Sequence, residues 1–449
     1  MQRDSCDVFI VGGGNAGFGV TVPTRKAGMK VIMAEARDLG GTCPNRGCTP
    51  KKVLVAAAHA LHEIAQAHVH CISVGKPALD WAALIDREKD LIAGIPDSLA
   101  ETLQGRGVEL IRETARFVAP DAVEVAGRRI EAKHIVIATG SKPRPLPIPG
   151  AELMITSDEV LSERDRPQSV VFVGGGVIAL EFGHVYARAG SKVTILEVLP
   201  RLLPALDADA VEEVRKESER IGIAVHSGVK VKRVETTGNR LHTVFEQDGK
   251  ERTVESDRVV NGAGRIANVE ELDLDAANVA HEGFKLSVDD YLRSKTNPSV
   301  YVCGDVTASP QLSPVASYEG RLVGRNIVEG AKHKPDYASM PSSVYTVPAL
   351  ATVGLSEARA KEQGLKTRVQ TNDMEYWFST RTFAETVAWS KIVVEEDTDR
   401  VLGAHFVGHA GEELINLFGL AMKHGITASQ IRDFVFAYPT FSADIKSML

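Results

Sequence analysis

Two cysteines in the stretch GGTCPNRGCTPKK, residues 40–52, combine reactive side chains with a suggestive spacing. Cys43 and Cys48 flank a segment that contains Pro44 and Gly47. Such a pair is a reversible electron carrier, part of a metal site or a pair of structural thiols. Five cysteines in 449 residues are too few for a disulfide framework, so a close pair points to redox or metal chemistry before structure. A zinc site brings further soft ligands nearby, but Cys71 is distant and His59 and His62 fall at ordinary helix positions. Helix geometry adds a constraint, because residues five apart are displaced by about 7.5 Å along an α-helix whereas a disulfide needs its Cβ atoms about 3.8 Å apart. Cys43 is therefore expected in the approach to a helix rather than inside it, with Pro44 and Gly47 supplying an irregular turn. Lys51 follows Cys48 by three positions and shares its helical face.

A redox pair needs a source of electrons, and two glycine turns suggest nucleotides. In VFIVGGGNAGFGV an apolar run over 8–11 is followed by Gly12, Gly14 and Gly17, a spacing that lets backbone amides approach a pyrophosphate. The next apolar run, KVIMAE, ends at Glu35, where a carboxylate can accept hydrogen bonds from a ribose. The pattern returns 162 residues later in SVVFVGGGVIALEFGHVYARAGSKVTILE, with Gly174, Gly176, Ala179 and then Glu197. Two complete units imply two dinucleotides. Glu197 favours the free diol of NADH and repels a 2′-phosphate, and Arg201 is the nearby cation, so NAD(H) is expected over NADP(H). Pro23 lies inside the first helical pattern and is expected to bend it or end it early; Gly28 then stops it.

HIVIATGSKPRPLPIPG reads as a buried strand over 135–138 leading to Thr139, Gly140 and a proline-rich domain edge. NPSVYVCGD supplies a strand through 300–302 that delivers Asp305 to its carboxyl end, where ligands of parallel sheets gather. Hydrophobic residues at 44% and charged residues at 25% predict globular folding throughout. With 52 Lys and Arg against 59 Asp and Glu, a formal charge of -7 and no basic block with interleaved aromatics, nucleic acid is not an expected partner. MQRDSCDVFIVG runs directly into a strand pattern and no stretch of 18 apolar residues occurs, so a cytoplasmic protein without a signal or membrane span is expected.

These motifs occur in the order found in flavin-dependent pyridine nucleotide-disulfide oxidoreductases, and the chain resembles the class I members of the glutathione reductase and dihydrolipoamide dehydrogenase type. The resemblance rests on the cysteine segment, both fingerprints, the ATG element ending at Gly140, GAGR at 262–265 and YVCGD at 301–305. It implies an α/β chain with two Rossmann-like dinucleotide-binding domains and a C-terminal α+β dimerisation domain. The expected divisions are an FAD-binding domain over 1–150 and 271–335, an NAD-binding domain over 151–270 and an interface domain over 336–449, with a homodimer completing each active site. Gly12, Gly14, Gly17, Glu35, Gly41, Thr42, Lys51, Thr139, Gly140, Gly264 and Asp305 would serve the cofactor sites, Asp305 at the ribityl and pyrophosphate region of FAD. Gly174, Gly176, Ala179 and Glu197 would bind the nicotinamide cofactor. By the same resemblance Cys48 is the charge-transfer thiol, Cys43 the interchange thiol, and Lys51 pairs with Glu181 against the flavin. Val177 takes the place of a tyrosine that often covers the nicotinamide pocket.

The chain departs from the family at its end. Relatives that exchange small disulfides carry a His-Pro segment followed by a glutamate, whereas AYPTFSADIKSML has Tyr438 at the histidine's place, Ala443 at the glutamate's and Asp444 one position late. Imidazole alternates between acid and base near pH 7; a phenol with a pKa of about 10 donates a proton but is a poor base there. Tyr438 is thus a candidate hydrogen-bond donor or an aromatic filling the mouth of the site, and His405, His409 and His424 are lesser candidates for proton carriage. Mercuric reductases share a tyrosine near this place, but without a terminal cysteine pair or metal-binding leader mercuric ion is a minor expectation. The expected enzyme passes electrons from NADH through FAD to the cysteine pair and on to a small-molecule disulfide or other acceptor. The alternatives are a dihydrolipoamide dehydrogenase-like, diaphorase or quinone reductase activity with direct exit from flavin, and a non-catalytic redox sensor. No resident metal is expected.

Overall fold

The structure, a computed structural model, describes residues 3–449. The chain divides into two compact units, each assembled from separate stretches of sequence.

The first unit takes the chain up to Lys51, then Asp86–Arg144 and Arg265–Asp336. Its sheet is centred on Arg3–Val11, flanked in parallel by Val31–Ala34 and Arg128–Ile137, with Val8 opposite both Val31 and His134. Glu109–Ile111 extends one side and Val300–Val302 pairs in parallel with Arg128–Ile137. Val8, Phe9 and Ile10 are fully buried, as a continuous apolar run between two covered faces requires. The helix Asn15–Lys26 leaves the first strand and continues three residues beyond Pro23, so the expected early end does not occur. Tertiary packing outweighs the missing amide: Gly324 of the helix Ser313–Glu329 makes room for the proline ring, since a Cβ there would lie 2.4 Å from Pro23 Cγ.

The second unit comprises Lys52–Ile85, Pro145–Gly264 and Tyr337–Leu449. A parallel sheet in the order Ala224–Ser227, Lys192–Glu197, Ser169–Val173 and Arg258–Asn261 carries the second glycine turn. A five-stranded antiparallel sheet, centred on Val401–Gly408, forms the C-terminal layer. Leu54 and Val55, from the helix Cys48–Gln66, share one buried cluster with Phe172 and Ile195 of the parallel sheet and Leu350 and Val407 of the antiparallel one. Among the described residues no helix is long and apolar enough to cross a membrane.

Candidate functional site

Cys43 and Cys48 lie on separate helical turns. Thr42–Arg46 is a single short helix, Gly47 breaks it, and Cys48 begins the long helix Cys48–Gln66. The break folds the segment back on itself: a Cβ on Gly47 would come within 3.0 Å of Thr42 O and 3.4 Å of Cys43 Cα. Asn45 Nδ2 donates to Leu39 O and Gly41 O, each at 2.9 Å, and Arg46 pairs with Asp38 at 2.8 Å, fixing the loop. Cys43 is half-buried and Cys48 exposed. Their thiols are hydrogen-bonded to each other, and this contact does most to draw the Cys43 pKa down to about 6; burial opposes it, and hydrogen bonds from Ser313, Asn15 and the Cys48 amide add to it. A thiol with that value is largely thiolate at neutral pH.

The first glycine loop stands in the same unit. Gly12, at φ 110°, passes so close to the neighbouring strand that a Cβ would lie 2.3 Å from Ala138 O, and a Cβ on Gly17 would lie 2.1 Å from Gly12 O. Gly14 forms a bridge to Gly40, and Gly41 adopts φ 67° immediately before Thr42. Glu35 accepts from Gly13 N at 2.7 Å and Arg37 N at 2.8 Å, holding the turn while leaving lone pairs for a ribose. Thr139 Oγ1 is buried and lacks a hydrogen-bond partner, and Gly140 follows it with φ 69°. Ser141 Oγ donates to Asp305 Oδ2 at 3.4 Å; burial raises the Asp305 pKa, opposed by Arg265 and Ser141. A side-chain-free loop, an orphan hydroxyl and two strand-end carboxylates fit an adenine dinucleotide that presents phosphates and ribose hydroxyls.

The second unit repeats this bonding closely. A Cβ on Gly174, at φ 103°, would lie 2.5 Å from Gly262 O. Glu197 accepts from Gly175 N at 2.5 Å and Leu199 N at 2.7 Å. Gly176 caps the helix Val177–Arg188, Val177 is exposed and Ala179 is buried. Arg201 turns its guanidinium to the carbonyls of Pro204 at 2.5 Å and Leu206 at 3.2 Å. Glu181, almost fully buried, accepts from Tyr345 N at 2.8 Å, and Lys52 Nζ stands 3.7 Å from the centre of the Tyr345 ring. Lys51 and Gly264 sit at unit borders, Lys51 in the first unit and Gly264, with φ 99°, in the second.

Tyr438 is exposed. The carboxylate that arrives one position late, Asp444, faces His409 Nε2 at 2.9 Å and accepts from Ser379 Oγ. Thr380 Oγ1 lies 3.2 Å from His409 Nδ1, and the Phe441 ring stands edge-on to the imidazole at 4.6 Å. His409 is fully buried; burial lowers its pKa and Asp444 opposes. It fastens the C-terminal segment. His405 is buried between Thr352 Oγ1 at 2.6 Å and Leu355 O at 3.1 Å, and His424 ends its helix in solvent. Cys303 is fully buried and Cys6 nearly so. Among the described residues no group of three or more His, Cys, Asp or Glu side chains is placed to hold a metal ion. Spacing did not single out Asn15 or Ser313; Asn15 was legible only as a position inside the first glycine turn.

Residues 6–320 match the family described as pyridine nucleotide-disulphide oxidoreductase, and residues 340–449 match its dimerisation domain. A mercuric reductase from Staphylococcus aureus is 31% identical over 98% of the chain and 81% of the relative. A dihydrolipoyl dehydrogenase from Thermus scotoductus is 33% identical over 97% of the chain and 95% of the relative. Among solved structures, a copper(II) complex of a mutant of the HOCl-induced flavoprotein disulfide reductase RclA from Escherichia coli aligns with a TM-score of 0.89 at 26% identity, covering 99% of both chains.

Proposed function

This chain belongs to the pyridine nucleotide-disulphide oxidoreductase family of FAD-dependent enzymes, and on that premise we propose that it carries electrons from NADH to Cys43 and Cys48 and then to a disulfide or other electrophile. The observation that carries this reading is the hydrogen-bonded cysteine pair beside the residues of the first glycine turn, within one unit. Bound FAD supplies two-electron exchange between a nicotinamide and a disulfide. Gly12, Gly14, Gly17, Glu35, Gly41, Thr42, Thr139, Gly140 and Asp305 would hold it, with Lys51 and Glu181 as candidates to offset charge on its reduced form. Gly174, Gly176, Ala179 and Glu197 take the nicotinamide dinucleotide, with Gly264 at the border of that site. The engagement of Arg201 with carbonyls supports NADH over NADPH.

Cys43 acts as the nucleophile. Its thiolate attacks one sulfur of an acceptor disulfide; a Cys43–sulfur bond forms, the acceptor S–S bond breaks and one half leaves with the electron pair. Cys48 then attacks the Cys43 sulfur, the second half leaves as a thiolate, and the Cys43–Cys48 bond is made. Protons come from water or from the Tyr438 phenol. The stretches 1–150 and 271–335 serve FAD, 151–270 serves the nicotinamide, and 336–449 pairs two copies of the chain.

Anaerobic titration of the purified holoenzyme with NADH tests the route by counting thiols, with Cys48→Ser as control. About two thiols per chain are expected to appear in the parent and none to be released in the variant. Bleaching of the yellow absorbance without thiol release would show electrons leaving from flavin directly, and no bleaching would show a sensor. Tyr438→Phe separates proton donation from space filling: a fall of about tenfold in turnover is expected, whereas an unchanged rate removes the phenol from the reaction.

A further inference from the structure

We propose that Lys391, in the C-terminal antiparallel sheet, is a positioning residue for the nicotinamide dinucleotide: through Asp207 it clamps the segment 198–207 against the second glycine turn. The inference rests on the reading above, in which that turn takes the dinucleotide, and adds the support that keeps the turn in shape. The segment runs from the strand Lys192–Glu197 to the helix Ala208–Arg220 and is fastened at three places. At its start Leu199 N donates to Glu197 Oε1 at 2.7 Å, and Gly228 N donates to Leu199 O at 2.8 Å. Its middle lies on the turn itself. Leu203 N donates to Gly175 O at 3.4 Å, and a Cβ on Gly175 would meet Leu202 Cδ2 at 2.4 Å. Both leucines are buried. Arg201 draws the rest together, since its Nη1 donates to Leu206 O at 3.2 Å while Leu206 N donates to Leu203 O at 3.0 Å. Glu197 Oε2 accepts from Gly175 N, so the acid, the turn and the segment close on one another.

Asp207 is the third fastening. Its Oδ1 caps the following helix, accepting from Asp209 N at 3.1 Å and Ala210 N at 3.3 Å. Lys391 Nζ stands 3.2 Å from the same oxygen, with the two side chains only 4% and 3% exposed. The ammonium also meets Glu357 Oε2 at 3.2 Å and Asp209 Oδ2. A helix cap needs only a side-chain oxygen, which asparagine or serine supplies as well as aspartate. A buried ammonium adds a desolvation cost, and separating it from its partner leaves an uncompensated charge, so other placements of Asp207 are disfavoured. The base is rigid, because Lys391 lies in a strand paired on both sides, opposite Thr371 and His405. Lys391 therefore fixes where the segment ends. The bonds from Leu203 and Leu199 carry that constraint to Gly175 and Glu197, the amide and the carboxylate proposed to meet pyrophosphate and ribose.

The test measures binding without turnover. Lys391→Met strands a buried carboxylate and is expected to lose stability, so Asp207→Asn is the primary variant: it keeps the cap, while Lys391 keeps Asp209 and Glu357. NAD+ is titrated calorimetrically into the FAD-loaded protein. Asp207→Asn is expected to raise the Kd for NAD+ about tenfold at unchanged FAD content. Hydrogen–deuterium exchange without NAD+ is expected to quicken in the peptide spanning 198–207. Steady-state rates are expected to show the same rise in KM for NADH with kcat within about twofold. A variant that melts earlier but keeps the parent Kd and exchange pattern would overturn the assignment, leaving the pair a stabilising contact only. Glu197→Gln in the same titration separates the two levels. Affinity that falls with Glu197→Gln but not with Asp207→Asn would overturn the clamp alone, and affinity indifferent to both would overturn the placing of the dinucleotide at this turn.

Discussion

Glu35 and Glu197 occupy corresponding places in two sheets and bond alike, each carboxylate holding the amide of the residue after the first glycine of its turn and the amide two residues beyond itself. Each is thus part of the turn as well as the proposed ribose acceptor, so its removal is expected to be felt in both roles. Glu197→Gln retains the shape but weakens the acceptor for a ribose hydroxyl. The expected result is a rise of about tenfold in KM for NADH, the equivalent of one charge-assisted hydrogen bond, with no gain in use of NADPH. Steady-state rates with both donors decide this, and a parent enzyme as fast with NADPH as with NADH would overturn the donor assignment. The glycines and both acids were readable from spacing because the geometry of a phosphate turn is local. Asn15 and Ser313 were not: 298 positions separate them, and only a helix crossing brings them together.

At the scale of elements, three helices in the second unit bring acids together. Glu63 lies near the end of Cys48–Gln66, Glu412 in the first turn of Gly411–His424, and Glu385 just after Phe378–Thr382. Burial, then Glu412, then Glu63 raise the Glu385 pKa to about 7. The sign follows from an acid whose folded value lies above its unfolded one: the folded state binds the proton more tightly, so the stabilisation is fully present below the ordinary glutamate value of 4.5 and is lost as pH rises through about 7. Glu385→Gln removes that loss, and its melting temperature at pH 8 is expected to exceed the parent's by about 2 °C, with little gain at pH 5. Equal melting temperatures at pH 8 would place the carboxyl in solvent. Pro23 gives the same lesson: a local rule ends the helix there, while Gly324 across the crossing lets it continue.

For the whole molecule, the C-terminal domain leaves Phe378, Phe383, Phe434, Val435 and Tyr438 between 60% and 83% exposed. Large apolar side chains concentrated in a domain matched to dimerisation suit a surface shared by two copies. Val435→Asp introduces charge there and is expected to shift the protein from dimer towards monomer in sedimentation velocity, lowering activity about tenfold or more if the partner completes the site. A variant that sediments as the parent does would locate the interface elsewhere. Asp444, which comes one position after the place of the family's glutamate, instead faces His409 Nε2 at 2.9 Å, within the segment that follows Tyr438.

The sequence by itself determined the family, the α/β class, the paired nucleotide turns and the candidate cysteines, because each depends on residues adjacent in the chain and on strand and helix periods that repeat locally. Tertiary structure decided which distant side chains meet, since Asn15 and Ser313 come together only after two helices dock through glycine, and it set Asp444 against His409. Hydrogen bonds between distant side chains follow from packing, which no local spacing encodes.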